Sequence, residues 1–547
     1  MRLKFSVVCA LSILIGCASA DNVVAQRITE QPKSRRDAGH ALSVLPKQTN
    51  APDKQDKQDK QGKQDKQAAP SDNNHPPADA DAASLELFKP VAALAAEWVK
   101  RPELQHSVVG LEIMDVPSGR ILFSHNGRKR MVTASTAKVL TTACAYELLG
   151  ADYKYKTSLL GYGEIHSARL TGPLVILPSQ DPSLTSEDVR QMVSALDNKV
   201  KFINGRVLVA AGPGGGDHFH TEWLAQDWGQ DWMPVSSDFV VDRNVVSGRD
   251  PGRGYPLVQV TSDSEPNAML RGLLQSPWAP AWVQFNKSNN TVQYYRPDQP
   301  ATGGLVVANP ADYNGAVVRS MLKLENIKVD GHDIPLSGNP IDFADHYSQP
   351  LAALVRFTLK ESDNLYAQQL LRTVGTLPVQ TKNLENASLE DRGLSRMNTW
   401  LISSGVTPGE VVIWDACGLS RKNAITPHAL NAVLRHMAGA TGNGPYIDLL
   451  THEGEGAGKT WRYKTGSMDS VRSVAGIVKT SAGQPMALTA IINDHAPSVR
   501  ELKTSLAALV GRLESLGSVK FKAPVEPKPT PKKAAGKHRA HKSLKRR

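Results

Sequence analysis

Cysteine is scarce in this chain of 547 residues: there are four, and Cys9 and Cys17 fall within the first 20 positions. The other two, Cys144 and Cys417, lie far apart and in no C-x-x-C spacing. That excludes a disulfide framework and argues against a thiolate zinc or redox motif. Two readings of the pair stay open: buried thiols acting as small hydrophobes, or a single bridge in an oxidising compartment. Long apolar runs are also lacking. The run from Phe5 to Ile15 is too short to span a bilayer, which excludes a polytopic membrane protein. Charge of one sign is confined to one end. Of a formal net charge of +11, residues 520–547 hold eleven Lys/Arg against the single acid Glu526. The remaining body is close to neutral, so the composition gives no reason to expect a nucleic-acid partner.

The first 20 residues read as a signal peptide: Arg2 and Lys4, the apolar run, then Ala18-Ser19-Ala20. Leu14-Ile15-Gly16-Cys17 also fits a bacterial lipoprotein box, in which Cys17 would carry lipid. Both readings place the mature chain outside the cytoplasm, periplasmic or attached to the envelope. Residues 21–84 are polar and include the reiterated Asp-Lys-Gln run from Asp53 to Gln67. So few apolar side chains cannot offset ordering entropy, and a disordered linker reaching about 40 Å is expected. Residues 517–547 form a basic, proline-punctuated tail, expected to be disordered. It would suit an anionic envelope surface, or simply stay solvated.

Between these ends the pattern is that of an α+β protein. Val108–Val116 and Ile121–Ser124 flank Pro117-Ser118-Gly119 as a hairpin, and a helix should run from Ser135 to a stop at Gly150. Val471–Lys479 and Pro485–Asn493 read as paired strands. A last helix starts at a capping box, Ser498 with Glu501, and places Leu502, Leu506, Leu509, Leu513 and Leu516 on one stripe. Residues 157–344 differ, with many short β-like runs and Gly/Pro punctuation but no internal repeat. The expected organisation is a sheet sandwiched by helices, its catalytic domain split into 85–156 and 345–516 by inserted β-rich domains at 157–344.

Ser135-Thr136-Ala137-Lys138 is S-x-x-K, a spacing that puts hydroxyl and amine on one helix face. A serine is a poor nucleophile until a base takes its proton, and lysine can be that base only when neutral, which requires a depressed pKa. The tetrapeptide alone is weak, since Ser320-Met321-Leu322-Lys323 has the same spacing and reads as an ordinary helix face. Ser362-Asp363-Asn364 and Lys464-Thr465-Gly466-Ser467 supply the specificity. S-x-x-K, S-D-N and K-T-G, in that order, are the signature of class A β-lactamases and penicillin-binding proteins.

The chain resembles the D-alanyl-D-alanine carboxypeptidase/endopeptidases of the class C low-molecular-mass penicillin-binding proteins over about 105–515. The long separation from Ser135 to Ser362 carries that distinction, because a compact β-lactamase leaves no room for it. Gly418-Leu419-Ser420-Arg421 with Asn423, and Asp181-Pro182-Ser183-Leu184, match as well. Departures are Gln368 in place of an acid, Asp415-Ala416-Cys417-Gly418 in place of D-G-S-G, Pro178-Ser179-Gln180 in place of glycines, and Thr133 in place of proline. None removes a proton-transfer group.

The resemblance implies a β-lactamase/transpeptidase-like fold and a serine DD-peptidase acting on peptidoglycan stem peptides, acylated by β-lactams and needing no metal or organic cofactor. Ser135 would attack, Lys138 would accept its proton, Ser362 would protonate the leaving amine, and Asn364 would hold the substrate amide. Lys464 would add a second positive charge, and Thr465 and Ser467 would bind the terminal carboxylate. Gly466 would let that carboxylate approach the strand without a Cβ in the way. A catalytically idle wall-binding protein and a β-lactamase are the rival functions. Three further features invite other readings. Gly454–Thr460 imitates a phosphate-binding loop but is one residue short and leads into a strand. Asp217-His218-Phe219-His220 could place two imidazoles on one strand face for a metal, against a polar loop. Trp223, Trp228 and Trp232 could stack on ligand or anchor a core.

Overall fold

The computed structural model describes residues 82–517 except 197, 225–229, 247–258, 262–281, 287–290, 296–304, 308, 379–383, 440, 453–459 and 495–497. The expected leader, linker and basic tail, Trp228 and most of the glycine-rich loop before Thr460 lie outside the described residues.

A five-stranded antiparallel sheet runs in the order Arg462–Met468, Val471–Lys479, Pro485–Asn493, Val108–Asp115, Ile121–His125. Its central strands are buried almost throughout, as covering both faces requires. On one face lie the helices Ala82–Val99 and Val499–Glu514, packed on Leu111, Ile113, Leu488 and Ile492. The latter helix opens with the expected capping box between Ser498 and Glu501. On the other face sit Lys138–Leu149, Leu351–Glu361, Asn364–Thr376, Leu389–Ser403 and Pro427–Ala438, around a second core that includes Leu140, Leu370 and Ile491. This is the α+β helix–sheet–helix architecture expected from the sequence.

The chain leaves this domain after the helix Lys138–Leu149 and returns before Leu351. In between, one four-stranded sheet joins Ile341–Tyr347, Lys156–Gly161, Leu174–Leu177 and Val207–Val209. A second joins Lys328–His332, Phe202–Gly205, Arg169–Leu170 and Ile165–His166. Helices Ser186–Ser194 and Pro310–Leu324 share a third core with these sheets. The antiparallel pair of entry and exit strands spans Lys156 to Tyr347. Ser320 is buried and donates back to the Ala316 carbonyl while Lys323 is exposed, so the duplicate S-x-x-K is a helix face. Cys144 and Cys417 are both free and buried, so the bridged alternative is not realised.

One buried charge cluster ties the inserted part to the helical face. Arg372, fully buried on Asn364–Thr376, pairs with Glu390 and, at 3.1 Å, with Asp238 of the insertion. Asp238 also accepts from the Gly214 and Gly216 amides. Truncating one partner of such a cluster strands the others in low dielectric, so Arg372→Met is expected to cost about 3–5 kcal/mol. Urea unfolding should show this as a lowered midpoint, partly restored by adding Glu390→Gln; an unchanged midpoint would contradict the assignment.

Candidate active site

Ser135 lies in the single 3-10 turn Ala134–Ala137, which runs directly into the helix beginning at Lys138. Ala134 takes a left-handed φ of 47°, strain that a surrounding structure must hold. Gly418 helps hold it. With φ at 85°, a Cβ there would stand 2.0 Å from the Ala134 carbonyl oxygen, so only glycine closes this contact.

The Lys138 amine is wholly buried and has three neighbours: Ser135 Oγ at 2.9 Å, Asn364 Oδ1 at 2.6 Å and the Cys417 carbonyl at 2.8 Å. Two of these can only accept, and the third is a hydroxyl. A neutral amine offers two N–H groups and one lone pair, so the arrangement seats it with the lone pair towards Ser135. Burial drives the Lys138 pKa down, opposed by Asp415 and Asp363. Burial also pushes the Cys417 thiol well up, so it stays uncharged and gives the ammonium no support.

The second lysine is equally withdrawn. Lys464 is 2% exposed, and its Nζ donates to Ser362 Oγ at 3.0 Å and to the Thr465 carbonyl at 2.7 Å. Its pKa is held well below the ordinary lysine value, first by burial and then by the charge of Lys138. Ser362 caps the helix Leu351–Glu361 in a left-handed conformation, φ 58°, which turns the chain sharply into Asn364–Thr376. All five residues expected to carry catalysis are therefore drawn into two linked clusters, Ser135–Lys138–Asn364 and Ser362–Lys464.

Two of the expected site residues also make structural contacts. Asn364 Oδ1 faces Lys138 and Nδ2 donates to the Trp232 carbonyl. That second bond requires an N–H, which fixes Oδ1 on the lysine. Gly466 is needed for packing. A Cβ there would meet Thr133 O and Ser473 Oγ at 2.4 Å and Thr136 N at 2.9 Å. Glycine thus lets the edge strand close on the turn that carries the nucleophile, and Ser473 fastens it by donating to the Thr133 carbonyl. Thr465 is half-buried and Ser467 exposed, both on the strand face opposite Lys464 and Gly466.

Several supporting groups lie outside the three catalytic motifs. Asp415 accepts from the Gly418 and Ser420 amides, Asn423 and the Trp223 indole, shaping the loop whose carbonyl meets Lys138. Gln368, the departure from an acid, accepts from Ala416 N at 2.9 Å and steadies the same loop. Trp223 is buried, whereas Trp232 is 47% exposed. His220 lies against the Trp414 carbonyl and stacks on Trp223, and Asp217 accepts from Ala311 N. Among the described residues these side chains form no metal-ligand group.

A serine and a buried lysine under the edge strand of a helix–sheet–helix domain, with a second lysine and serine beside them, define a serine hydrolase of the penicillin-recognising class. Residues 91–516 match the D-Ala-D-Ala carboxypeptidase 3 (S13) family, and the chain belongs to it. D-alanyl-D-alanine carboxypeptidase DacB of Haemophilus influenzae is 24% identical over 437 residues, 74% of this chain and 89% of that protein. The D-alanyl-D-alanine carboxypeptidase of an Actinomadura species is 25% identical over 508 residues, 82% and 90% respectively. The crystal structure of penicillin binding protein 4 (dacB) from Haemophilus influenzae shares the fold, with TM-score 0.60 and 23% identity over 77% of this chain and 97% of that one. The same protein complexed with a novel β-lactam gives TM-score 0.56 over 76% and 98%. The protein is a serine-type DD-peptidase, as the family defines.

The site yields two expected outcomes. Gly466→Ala should force the edge strand off the nucleophile turn and slow penicillin acylation by about 100-fold or more, the scale of losing one preorganised donor. Asn364→Asp would put a carboxylate on Lys138 and raise its pKa. Below the folded pKa the amine is protonated and cannot act as base, so the acidic limb of the acylation rate should move to higher pH. A stopped-flow profile with an unmoved limb would contradict this.

Proposed function

We propose that Ser135 forms an acyl-enzyme with peptidoglycan stem peptides ending in D-Ala-D-Ala, Lys138 being the base. The observation that carries this is the fully buried amine 2.9 Å from Ser135 Oγ, its two other neighbours both obligate acceptors. Oγ attacks the scissile carbonyl as its proton passes to Lys138 Nζ. The oxyanion lies between the Ser135 and Ser467 amides, donors fixed before charge develops. Ser362 gives its hydroxyl proton to the departing D-alanine nitrogen and is refilled from Lys464, 3.0 Å away. Acylation thus moves a positive charge from Lys464 to Lys138. Attack by water on the ester then reverses these transfers and frees the serine.

β-Lactams would acylate the same hydroxyl, a reading supported by the β-lactam complex of the Haemophilus relative. The leader, with Arg2, Lys4 and the small residues before Asp21, supports export to the periplasm or envelope, with Cys17 as an alternative lipid anchor. The tail's excess of Lys and Arg supports attraction to an anionic envelope surface.

Intact mass with and without penicillin tests the reading. The wild type should gain one penicilloyl group and release D-alanine from a stem-peptide mimic, and Ser135→Ala should do neither. Labelling that survives Ser135→Ala would overturn the assignment. Rapid loss of the adduct as penicilloate, without D-alanine release, would point to a β-lactamase instead.

A further inference from the structure

Three consecutive residues of the insertion, Asp242, Arg243 and Asn244, are left-handed, with φ of 48°, 61° and 56°. Residues with a Cβ seldom adopt that conformation even singly, so such a run persists only where its surroundings hold it. Contacts on either side of Arg243 do so. The Asp242 amide donates to the Leu184 carbonyl at 3.0 Å, and its Oδ1 accepts from the Ser186 amide at 3.1 Å. Asn244, fully buried, donates to the Val235 carbonyl at 2.8 Å and accepts from Asn314 at 2.9 Å. The turn so fixed presents Arg243 to the catalytic domain, with Nη1 3.2 Å from Asp363 Oδ2. Asp363 is the middle residue of Ser362-Asp363-Asn364. Its other oxygen, Oδ1, caps the helix Asn364–Thr376 by accepting from the Tyr366 amide at 2.9 Å. The carboxylate is therefore held at both oxygens, once by its own helix and once by the insertion.

We infer that Arg243 is a positioning residue for acylation: it holds Asp363 and offsets its charge, so that the insertion sets the working state of Lys138. The inference rests on the acyl-enzyme reading with Lys138 as base. Ser362 faces Lys464 and Asn364 faces Lys138, so the residue between them governs how the motif turns towards two amines at once. The insertion does not need this ion pair to dock. Arg372 pairs with Asp238, and Gln369 donates to the Gln180 and Ser237 carbonyls at 3.1 and 2.7 Å. Charge adds to geometry. Burial lowers the Lys138 pKa, and the carboxylates of Asp415 and Asp363 work against it. A guanidinium on Asp363 cancels part of that opposition and stays charged throughout the working pH range. The other titratable groups around the motif do not serve this purpose. Lys464 is turned to Ser362 and the Thr465 carbonyl, Glu361 pairs with Lys360 at the surface, and Asp415 is itself a carboxylate. Burial keeps the Tyr366 hydroxyl and the Cys417 thiol uncharged.

The test is the pH profile of penicillin acylation on purified full-length protein, with a urea midpoint for each variant. Arg243→Gln leaves the Asp363 carboxylate to favour the ammonium. The acidic limb should therefore move to higher pH by roughly half a unit or more, slowing acylation about threefold or more on the limb. For D-alanine release the loss should fall on kcat rather than KM, since Arg243 acts through Asp363 and not on substrate. Arg243→Lys keeps the charge and should keep most of the wild-type limb. Adding Asp363→Asn to Arg243→Gln removes both charges while retaining a capping side chain, and should bring the limb back. An unmoved limb in Arg243→Gln overturns the proposal. So does an equal loss at every pH, which marks a structural role, or a double variant whose limb stays displaced. Failure of Arg243→Gln to fold also overturns it, because docking is assigned to the Arg372 cluster. If the wild type is never acylated, the acyl-enzyme reading itself fails, an outcome separate from an unmoved limb.

Discussion

Withdrawing one primary amine from water is the constraint on which this site depends. An ammonium in bulk solvent keeps its proton to about pH 10.4 and cannot accept another from an alcohol. Burial of Lys138 makes the neutral form accessible. The Asn364 amide oxygen and the Cys417 carbonyl then take its two N–H groups, which leaves the lone pair to the serine. The same burial carries a stability cost with a definite sign. Between the depressed folded pKa and the ordinary 10.5 the native chain binds fewer protons than the unfolded one, so this residue's contribution improves as pH rises and worsens on acidification.

Keeping that amine dry requires distant parts of the chain to close on it. The edge strand Arg462–Met468 reaches the nucleophile turn through Gly466, and the neighbouring strand through Ser473, more than three hundred positions later in the sequence. The insertion contributes as well. Its Trp232 carbonyl orients Asn364, and its Trp223 indole donates to Asp415 at 2.9 Å, inside the loop that supplies Cys417. The inserted domains are thus structural parties to the proton chemistry, and the Arg372 cluster joins them to the helices that carry it.

Much of this was legible from residue order alone. The strands Val471–Lys479 and Pro485–Asn493 are apolar runs bounded by turn residues, and they occur with those limits. The capping box at Ser498 and the stop at Gly150 are local chemistry and were equally readable. The three motifs named the reacting groups, because proton transfer demands particular side chains at short spacing. What could not be read was anything set by register or by the far side of a contact. The space that Gly466 fills depends on which backbone lies opposite it. Nothing in the segment of Asn364 indicates its contact with the Trp232 carbonyl, which comes from 132 residues away.

The most direct check on the central claim is the titration of Lys138 itself, followed by the ¹⁵Nζ or ¹³Cε shift in selectively labelled protein, with Lys138→Met to assign the signal. The account requires a midpoint below the ordinary lysine value of 10.5 in the folded protein, returning to that value on unfolding. A midpoint at or above 10.5 would mean that the amine beside Ser135 holds its proton throughout the working range, and the proposed base would have to be sought elsewhere.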